Sequence, residues 1–323
     1  MANITHNNHY LSQMYLKNFS YDGKNIYVYN LLVPNSKCPL WESKCIKNFG
    51  SIKDIYTTFD GEEYHDELEK MFASDIESPA KKSLDKAVNG EILNEEDNEN
   101  LSKFIALHIV RSPAVFTELM EYANEMLPLL VNSSFDEDKI KVYKKFNDID
   151  LPFKETDEII QFIVGKSIYL KLLKIFNNKC NKLFKNTKFS LVEFDNNVNI
   201  PISDNPVVVV SQDAFNRPCY DKLLINNGSL VFFPVSPNKA LLGVVGSMRD
   251  MSSSFNFEEG NIFKKMVLEN PCGYFISKEK DSEIVHLCQR EVNQKLFADQ
   301  LSSFSDFNRV YFDKEVNMLK QKH

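Results

Sequence analysis

The sequence predicts an α+β fold in which a helical middle region lies between β segments near the two ends of the chain. Apolar residues recur at helical spacing from about residue 61 to residue 186. The period changes to two after residue 187, and the β-branched and aromatic run "IYVYNLL" near the N-terminus indicates a strand. The two β regions could therefore meet in one sheet.

The composition is that of an ordinary globular protein. The 323 residues are 43% hydrophobic and 26% charged, with only 10 Gly and 12 Pro, so long flexible linkers are not expected. We expect a single composite domain made of four segments. These are a β-rich N-terminal segment at 1–60, a helical region at 61–186, a β-rich region at 187–280 and a C-terminal helix at 281–323.

Charge and hydropathy limit the partners and the compartment. The formal net charge of -7 gives no global attraction to nucleic acid or to an anionic membrane, although a local basic groove remains compatible with it. The polar N-terminus has no apolar signal core, and the longest apolar runs are far shorter than the roughly 20 residues of a membrane span. We expect a cytoplasmic protein without membrane contact. Six scattered cysteines without a Cys-x-x-Cys pair predict neither a zinc site nor a disulfide framework.

The N-terminal half begins with a short helix predicted at 10–19, capped by Asn7 or Asn8. After the "IYVYNLL" strand, "KCIKNFGSIKDIYTT" indicates a further extended segment. Helical patterns then follow, with Asn94 and Asp97 forming a capping-box variant and Pro113 bending or ending the helix they start. A long amphipathic helix is expected at 157–184, after a charged, exposed stretch.

The C-terminal half alternates between apolar and polar residues. "KFSLVEF" predicts a strand, "IPISDNPVVVVSQD" a turn and a strand, and "LVFFPVSPNKALLGVV" two strands around a corner. From about residue 281 the apolar positions return to roughly helical intervals, which predicts the C-terminal helix.

His9 is the first candidate for a chemical role. Imidazole titrates near neutral pH, so His9 could act as a general acid, a general base or a metal ligand. It could equally cap the first helix or fill the core.

The stretch "FIALHIVRSP" places His108 and Arg111 on an otherwise apolar helical stripe. A buried guanidinium is costly unless it pairs with a carboxylate or a bound anion. Arg111 could hold a phosphate, or it could form a structural ion pair with Glu69 or Glu77. These two glutamates are eight residues apart and share roughly one helix face, where they could bind a divalent metal or lie in solvent.

Two further motifs are candidates for a site. "ISDNPVVVVS" places Asp204 and Asn205 at the rim of a sheet, where catalytic side chains are common, although this is also ordinary turn chemistry. Lysines recur near one face of the long helix and indicate either a nucleic-acid footprint or the polar side of an amphipathic helix. These lysines are Lys171, Lys174, Lys182 and Lys185.

The order of the motifs resembles the bacterial family called domain of unknown function 4238. The motifs are "HYLSQMYLKNFS", "IYVYN", "KNFGSIKDIY", "LEKMFASDIE", "FIALHIVRSP", "SDNPVV", "FPVSP" and "EVNQKLFA". The similarity covers nearly the whole chain. The matching positions are His9, Tyr10, Tyr15, Leu16, Phe19, Tyr56, Glu69, Glu77, Arg111, Ser203, Asp204, Asn205, Pro206, Pro234, Pro237 and Asn293. The family usually has Pro where this chain has Ser12.

The resemblance implies a role in single-gene bacterial antiphage defence, and it does not name a reaction. We hypothesise a nuclease in which His9 is the acid or base and Arg111 holds the phosphate. Asp204 with a glutamate would bind a divalent metal or position water. Two alternatives stay open: a sensor that recognises a phage component and acts through a partner or by oligomerising, and a purely structural polar network.

Overall fold

The computed structural model describes residues 4–59, 64–113, 115, 173–212, 217–251, 254–270 and 272–299. The charged stretch at 132–155, Lys171 and the first part of the predicted long helix lie outside these residues, as does the tail beyond residue 299.

The N-terminal part of the chain is mostly strands. They are β1 (Asn7–His9), β2 (Asn25–Asn30), β3 (Leu32–Val33), β4 (Glu42–Cys45), β5 (Ser51–Lys53), β6 (Thr58–Phe59) and β7 (Tyr64–His65). Between β1 and β2 lies the short helix α1 (Gln13–Leu16), which continues into a 3₁₀ turn at Lys17–Phe19. A second 3₁₀ turn at Ile46–Asn48 joins β4 to β5.

The middle of the chain is helical. It contains α2 (Glu67–Met71), a π-helical segment (Phe72–Glu77), α3 (Ser78–Asn89), α4 (Glu95–Val110) and α5 at 173–184. The prediction of a capping box is confirmed, because the Asp97 amide donates to Asn94 Oδ1 at 2.8 Å and the Asn94 amide donates to Asp97 Oδ2 at 3.1 Å. The helix ends at Val110, three residues before Pro113, as the sequence predicts.

The C-terminal part returns to strands. They are β8 (Ser190–Phe194), β9 (Ile202–Ser203), β10 (Val208–Gln212), β11 (Pro218–Cys219), β12 (Leu230–Ser236), β13 (Lys239–Val244), β14 (Ser254–Phe255), β15 (Tyr274–Ser277) and β16 (Glu291–Val292). A 3₁₀ turn lies at Lys222–Leu224, and the helices are α6 (Phe257–Glu269), α7 (Ser282–Leu287) and α8 at 294–299.

The α+β prediction is confirmed, and the two β regions do share a sheet. A four-stranded sheet has the order β4-β2-β15-β9, so strands from both ends of the chain alternate with each other. In its centre β2 and β15 pair antiparallel, with Val28 opposite Ile276. A six-stranded sheet of order β11-β10-β12-β13-β8-β14 comes entirely from the C-terminal β region.

The N-terminal capping prediction is wrong. Residues 7–9 form β1, paired antiparallel with β5, and α1 begins after Ser12. The Asn8 side chain is buried, where it accepts from the Tyr56 amide at 3.0 Å and donates to the Thr5 carbonyl at 3.1 Å. Pairing with a distant strand therefore outweighs the local capping preference of asparagine.

The C-terminal tail also differs from the prediction of one continuous helix. The helix α7 stops at Leu287, and Cys288 leaves helical geometry with φ -115° and ψ 81°. The chain then forms β16, which pairs parallel with β3. This pairing covers an edge of β3 whose backbone groups would otherwise be unpaired. Helical structure resumes at 294–299.

The main core joins elements from both ends of the chain. Tyr15 of α1 is fully buried and stacks on Phe233 of β12, with ring centroids 4.8 Å apart. Its hydroxyl donates to the Pro234 carbonyl at 2.8 Å, and Phe104 of α4 packs edge-on against it. Among the helices that the structure describes, none is long and apolar enough to cross a membrane.

Candidate functional site

The two glutamates on the first middle helix face the same way because of a wider turn between them. In a regular α-helix, eight residues make about 2.2 turns, so Glu69 and Glu77 would be about 80° apart around the axis. The segment Phe72–Glu77 is π-helical, and its i→i+5 bonding lets each turn take more residues. This wider turn reduces the offset and lets both carboxylates act on Arg111.

Arg111 lies at the C-terminal end of α4 and is buried, with only 1% of its side chain exposed. Its Nη2 donates to Glu77 Oε1 at 2.6 Å, and its guanidinium lies 5.6 Å from the centre of the Phe72 ring. Burial is the largest single effect and disfavours the charged guanidinium, but the nearby Glu77 and Glu69 carboxylates and Tyr56 together outweigh it, so the Arg111 pKa is raised. Arg111 is a fixed positive charge inside the protein, held by a carboxylate that is itself about a quarter exposed.

Glu69 has the electrostatics of an acid–base group. Burial raises the pKa of its carboxyl to about 7, against the opposing effect of the Arg111 charge. The carboxyl accepts a hydrogen bond from the His9 backbone amide, which ties α2 to the end of β1. At neutral pH Glu69 therefore exchanges its proton readily.

Three buried polar atoms of these side chains have no hydrogen-bond partner among the residues that the structure describes. They are the Tyr56 hydroxyl, Glu69 Oε2 and Arg111 Nε. Tyr56 is 1% exposed, its ring packs edge-on against Phe72, and burial raises its pKa, while the charges of Arg111, Glu69 and Glu77 all act on it. Unpartnered buried groups are costly, so three in mutually interacting side chains indicate a missing partner.

His9 ends β1 beside these groups and is partly exposed. Its Nε2 lies 3.1 Å from Gln13 Nε2, and its ring also interacts with the Lys47 carbonyl. Burial lowers the pKa of His9, so the imidazole is neutral at pH 7. We call His9, Tyr56, Glu69, Glu77 and Arg111 the Arg111 cluster.

The sequence-predicted Asp204 and Asn205 lie in a second polar cluster. The Asp204 carboxylate accepts from the Gly273 amide at 3.0 Å, and burial raises its pKa to about 7. The buried Lys222 Nζ donates to Asn205 Oδ1, and Asn270 Nδ2 donates to the Asn205 carbonyl at 2.8 Å. We call this the Asp204 cluster, and its remaining members are Tyr10 and Tyr274, whose hydroxyls are 2.6 Å apart.

The two clusters are neighbours. The charges of Arg111, from one cluster, and of Lys222, from the other, both act on His108 of α4. It is fully buried, its Nδ1 donates to the Phe104 carbonyl at 3.0 Å, and burial lowers its pKa to about 3, so it is neutral. Tyr10, in the Asp204 cluster, directly follows His9. The predicted site is thus split, with His9, Glu69, Glu77 and Arg111 together and Asp204 and Asn205 beside them.

A family profile described as "Protein of unknown function (DUF4238)" matches residues 7–294. The chain belongs to the DUF4238 family. No curated protein and no solved structure was found to match it. The matched span of this DUF4238 chain includes both polar clusters and helix α5.

The structure of the DUF4238 chain bears separately on the lysines predicted as a nucleic-acid footprint and on the predicted metal site. Lys174, Lys182 and Lys185 are exposed on or just after α5, away from its buried face. Within the described ranges, no three His, Cys, Asp or Glu side chains are grouped so that they could hold a metal ion.

Sequence reasoning missed Tyr56 and Lys222 as site members in the DUF4238 chain. Tyr56 stands in the half-buried segment "KDIYTT", and Lys222 follows a turn, so neither interrupts an apolar helical face. Their positions depend on tertiary contacts, and no local pattern could have identified them. The resemblance to the family included Tyr56 among its matching positions without giving it a role.

Asp204 is expected to support the structure, and its substitution tests this. In Asp204→Ala the partly buried Gly273 amide loses its acceptor, which should cost about 1–3 kcal/mol of unfolding free energy. Asp204→Asn keeps one acceptor oxygen and should stay within about 1 kcal/mol of the wild type. Urea unfolding of both variants measures the difference. Equal stability of all three proteins would contradict this role.

Proposed function

We propose that the chain is a hydrolase that cleaves phosphodiester bonds of nucleic acid and acts as an effector in bacterial antiphage defence. The observation that carries the proposal is the set of three unpartnered buried atoms in the Arg111 cluster.

The chemistry of these atoms defines the missing partner. The Tyr56 hydroxyl and the Arg111 Nε–H are both hydrogen-bond donors. Protonated Glu69, which its pKa of about 7 allows at neutral pH, adds a third donor at Oε2. Three donors, one of which belongs to a buried guanidinium, favour an anionic acceptor, and a phosphate offers several oxygens with the required charge.

The same groups provide acid–base catalysis. Neutral His9 takes a proton from the attacking water, whose oxygen forms the new bond to phosphorus. Glu69 gives its proton to the leaving oxygen as the old P–O bond breaks, so the net change is the addition of one water. Arg111 and Tyr56 stabilise the negative charge that builds up on the phosphoryl oxygens. Glu77 holds the guanidinium in place.

The biological setting rests on the family. The resemblance to the DUF4238 family implies antiphage defence, and an effector that cleaves nucleic acid would meet its substrate in the cytoplasm. We therefore place the protein there.

Tyr56→Phe tests the proposal. Because the hydroxyl has no partner within the part of the chain that the structure describes, its removal should leave the melting temperature unchanged or slightly raised. Hydrolysis of a chromogenic phosphodiester and degradation of nucleic acid in phage-infected cells should both fall about 10²-fold, as for the loss of one oxyanion donor.

Tyr29→Phe is the matched control. The Tyr29 hydroxyl donates to the Cys288 carbonyl at 2.7 Å, so this variant should lose about 1 kcal/mol of stability and keep its activity. Full activity of Tyr56→Phe would overturn the proposed role of the hydroxyl. The nuclease hypothesis would be overturned if the wild-type protein protected infected cells from phage while their nucleic acid stayed intact.

A further inference from the structure

Helix α5 is strongly basic in a chain of net charge -7. Five lysines and no acidic residue occur between residues 173 and 192. Most apolar residues of the helix are buried in the main core or packed against it, whereas Ile175 is 56% exposed among the polar residues of the outer face. The buried residues are Leu173, Phe176, Cys180 and Phe184, and the exposed polar residues are Lys174, Asn178, Lys179, Lys182 and Lys185.

The direction of α5 follows from its contacts with α4. Near its C-terminal end, Asn98 of α4 donates to the Thr187 carbonyl at 3.1 Å and accepts from the Phe189 amide at 2.9 Å. Further from this end, the Lys222 charge acts on Cys180 of α5 and also on His108 near the C-terminal end of α4. The N-terminal end of α4 is thus near the C-terminal end of α5, and later residues of α4 are near earlier residues of α5. The two helices therefore run antiparallel. The Lys174 end of α5 therefore lies towards the Arg111 end of α4.

Other groups engage two of the five lysines. Lys179 Nζ donates to the Leu223 carbonyl at 2.8 Å, and Lys188 pairs with Asp250 at 2.7 Å. Lys174 and Lys182 form no ion pair within the described residues, and Lys185 is only near enough to Glu99 to lower that residue's pKa. Three ammonium groups are therefore available to a ligand along one face.

We propose that Lys174, Lys182 and Lys185 bind the phosphate backbone of a nucleic-acid strand and direct it towards the Arg111 cluster. The inference rests on the proposed function, and it makes the substrate a polymer rather than a small phosphodiester. Lys185 follows Lys174 by eleven positions, a distance of about 16 Å at the helical rise, which is enough to contact several phosphates. Both aromatic rings of α5 are buried, so this face contacts phosphates rather than bases and binds without sequence preference.

The test is a salt titration of the full-length protein. Fluorescence anisotropy with labelled oligo-dT and oligo-U measures affinity for the wild type and for K174Q/K182Q/K185Q. Loss of three phosphate contacts should reduce the slope of log affinity against log salt by about 2. The control K81Q/K82Q/K278Q removes three exposed lysines from elsewhere and should leave the slope unchanged.

Two substrates separate this inference from the proposed function. The α5 variant should hydrolyse bis-p-nitrophenyl phosphate like the wild type, while its KM for a polynucleotide rises at least tenfold. An equal loss of slope in both triple variants would overturn the α5 site. The site would also be overturned if K174Q/K182Q/K185Q kept the wild-type slope and bound polyglutamate as tightly as the wild type. A changed slope in a protein that cleaves neither substrate would support the site and overturn the hydrolase.

Discussion

Glu69→Gln is expected to lower the rate of phosphodiester hydrolysis by about 10²–10⁴-fold, because the amide cannot donate an acidic proton to the leaving group. The fold should be kept. Glutamine is close in shape, and its oxygen can still accept from the His9 amide. Single-turnover hydrolysis at saturating substrate would measure the loss in the chemical step.

The same variant should be more stable than the wild type at alkaline pH. The Glu69 pKa is raised from 4.5 to about 7 in the folded protein, so the unfolded chain loses this proton first. Wild-type stability from this group is fully present below pH 4.5, falls as the pH rises towards 7 and is then constant. Glutamine removes the dependence, so Glu69→Gln should gain about 1–2 kcal/mol relative to wild type at pH 8 and nothing at pH 4.

Thermal unfolding of both proteins from pH 4 to pH 8 measures how their stabilities diverge as the pH rises. The control is Glu67→Gln, since Glu67 lies on the same helix and is exposed. That variant should follow the wild type in activity and in the shape of its pH curve. A Glu69→Gln protein that keeps its activity, or whose stability parallels the wild type at every pH, would remove Glu69 from the acid role.

Arg111→Met is expected to be the most destabilising single substitution in the cluster. It removes the charge that pairs with Glu77 and leaves that carboxylate, together with Glu69, beside an apolar side chain. Breaking a buried ion pair costs about 3–5 kcal/mol, and the partial exposure of Glu77 places the expected loss near the lower end. Urea unfolding provides the free energy.

A double-mutant cycle separates the pair from the packing of Arg111. Adding Glu77→Gln to Arg111→Met removes the unpaired carboxylate and should recover about 1 kcal/mol or more. Arg111→Lys keeps the charge but not the planar fork, so it should be more stable than Arg111→Met and still lose phosphate binding. Independent, additive effects of the Arg111 and Glu77 substitutions would show that the ion pair contributes nothing.

Features with a local physical cause could be predicted from the sequence. The Asn94–Asp97 capping box needs only residues three apart, and it formed as expected. The pairing of Arg111 with Glu77 was one of the two outcomes that a guanidinium on an apolar face allows. Glu69 and Glu77 do act on the same group, although a π-helical segment that spacing alone does not show contributes to this.

Features that depend on contacts between distant residues could not be predicted from the sequence. Asn7 and Asn8 are good caps, yet β1 pairs with a strand more than forty residues away. The orphaned Tyr56 hydroxyl depends on three other elements that surround it. The division of the predicted site into two clusters follows from the attachment of Asp204 to Gly273, at the start of β15.

The pairing of β2 with β15 also determines when the four-stranded sheet can finish folding during synthesis. Residues 25–30 are synthesised long before their central sheet partner at 274–277. Contacts of such high sequence separation form slowly, because a long loop must close before they contribute stability. The segment that carries His9 is therefore made long before it gains its full set of neighbours, including the Tyr10–Tyr274 contact. Until β15 is made, the edge of β2 that it covers is open, and an unpaired strand edge is a place where another chain can pair.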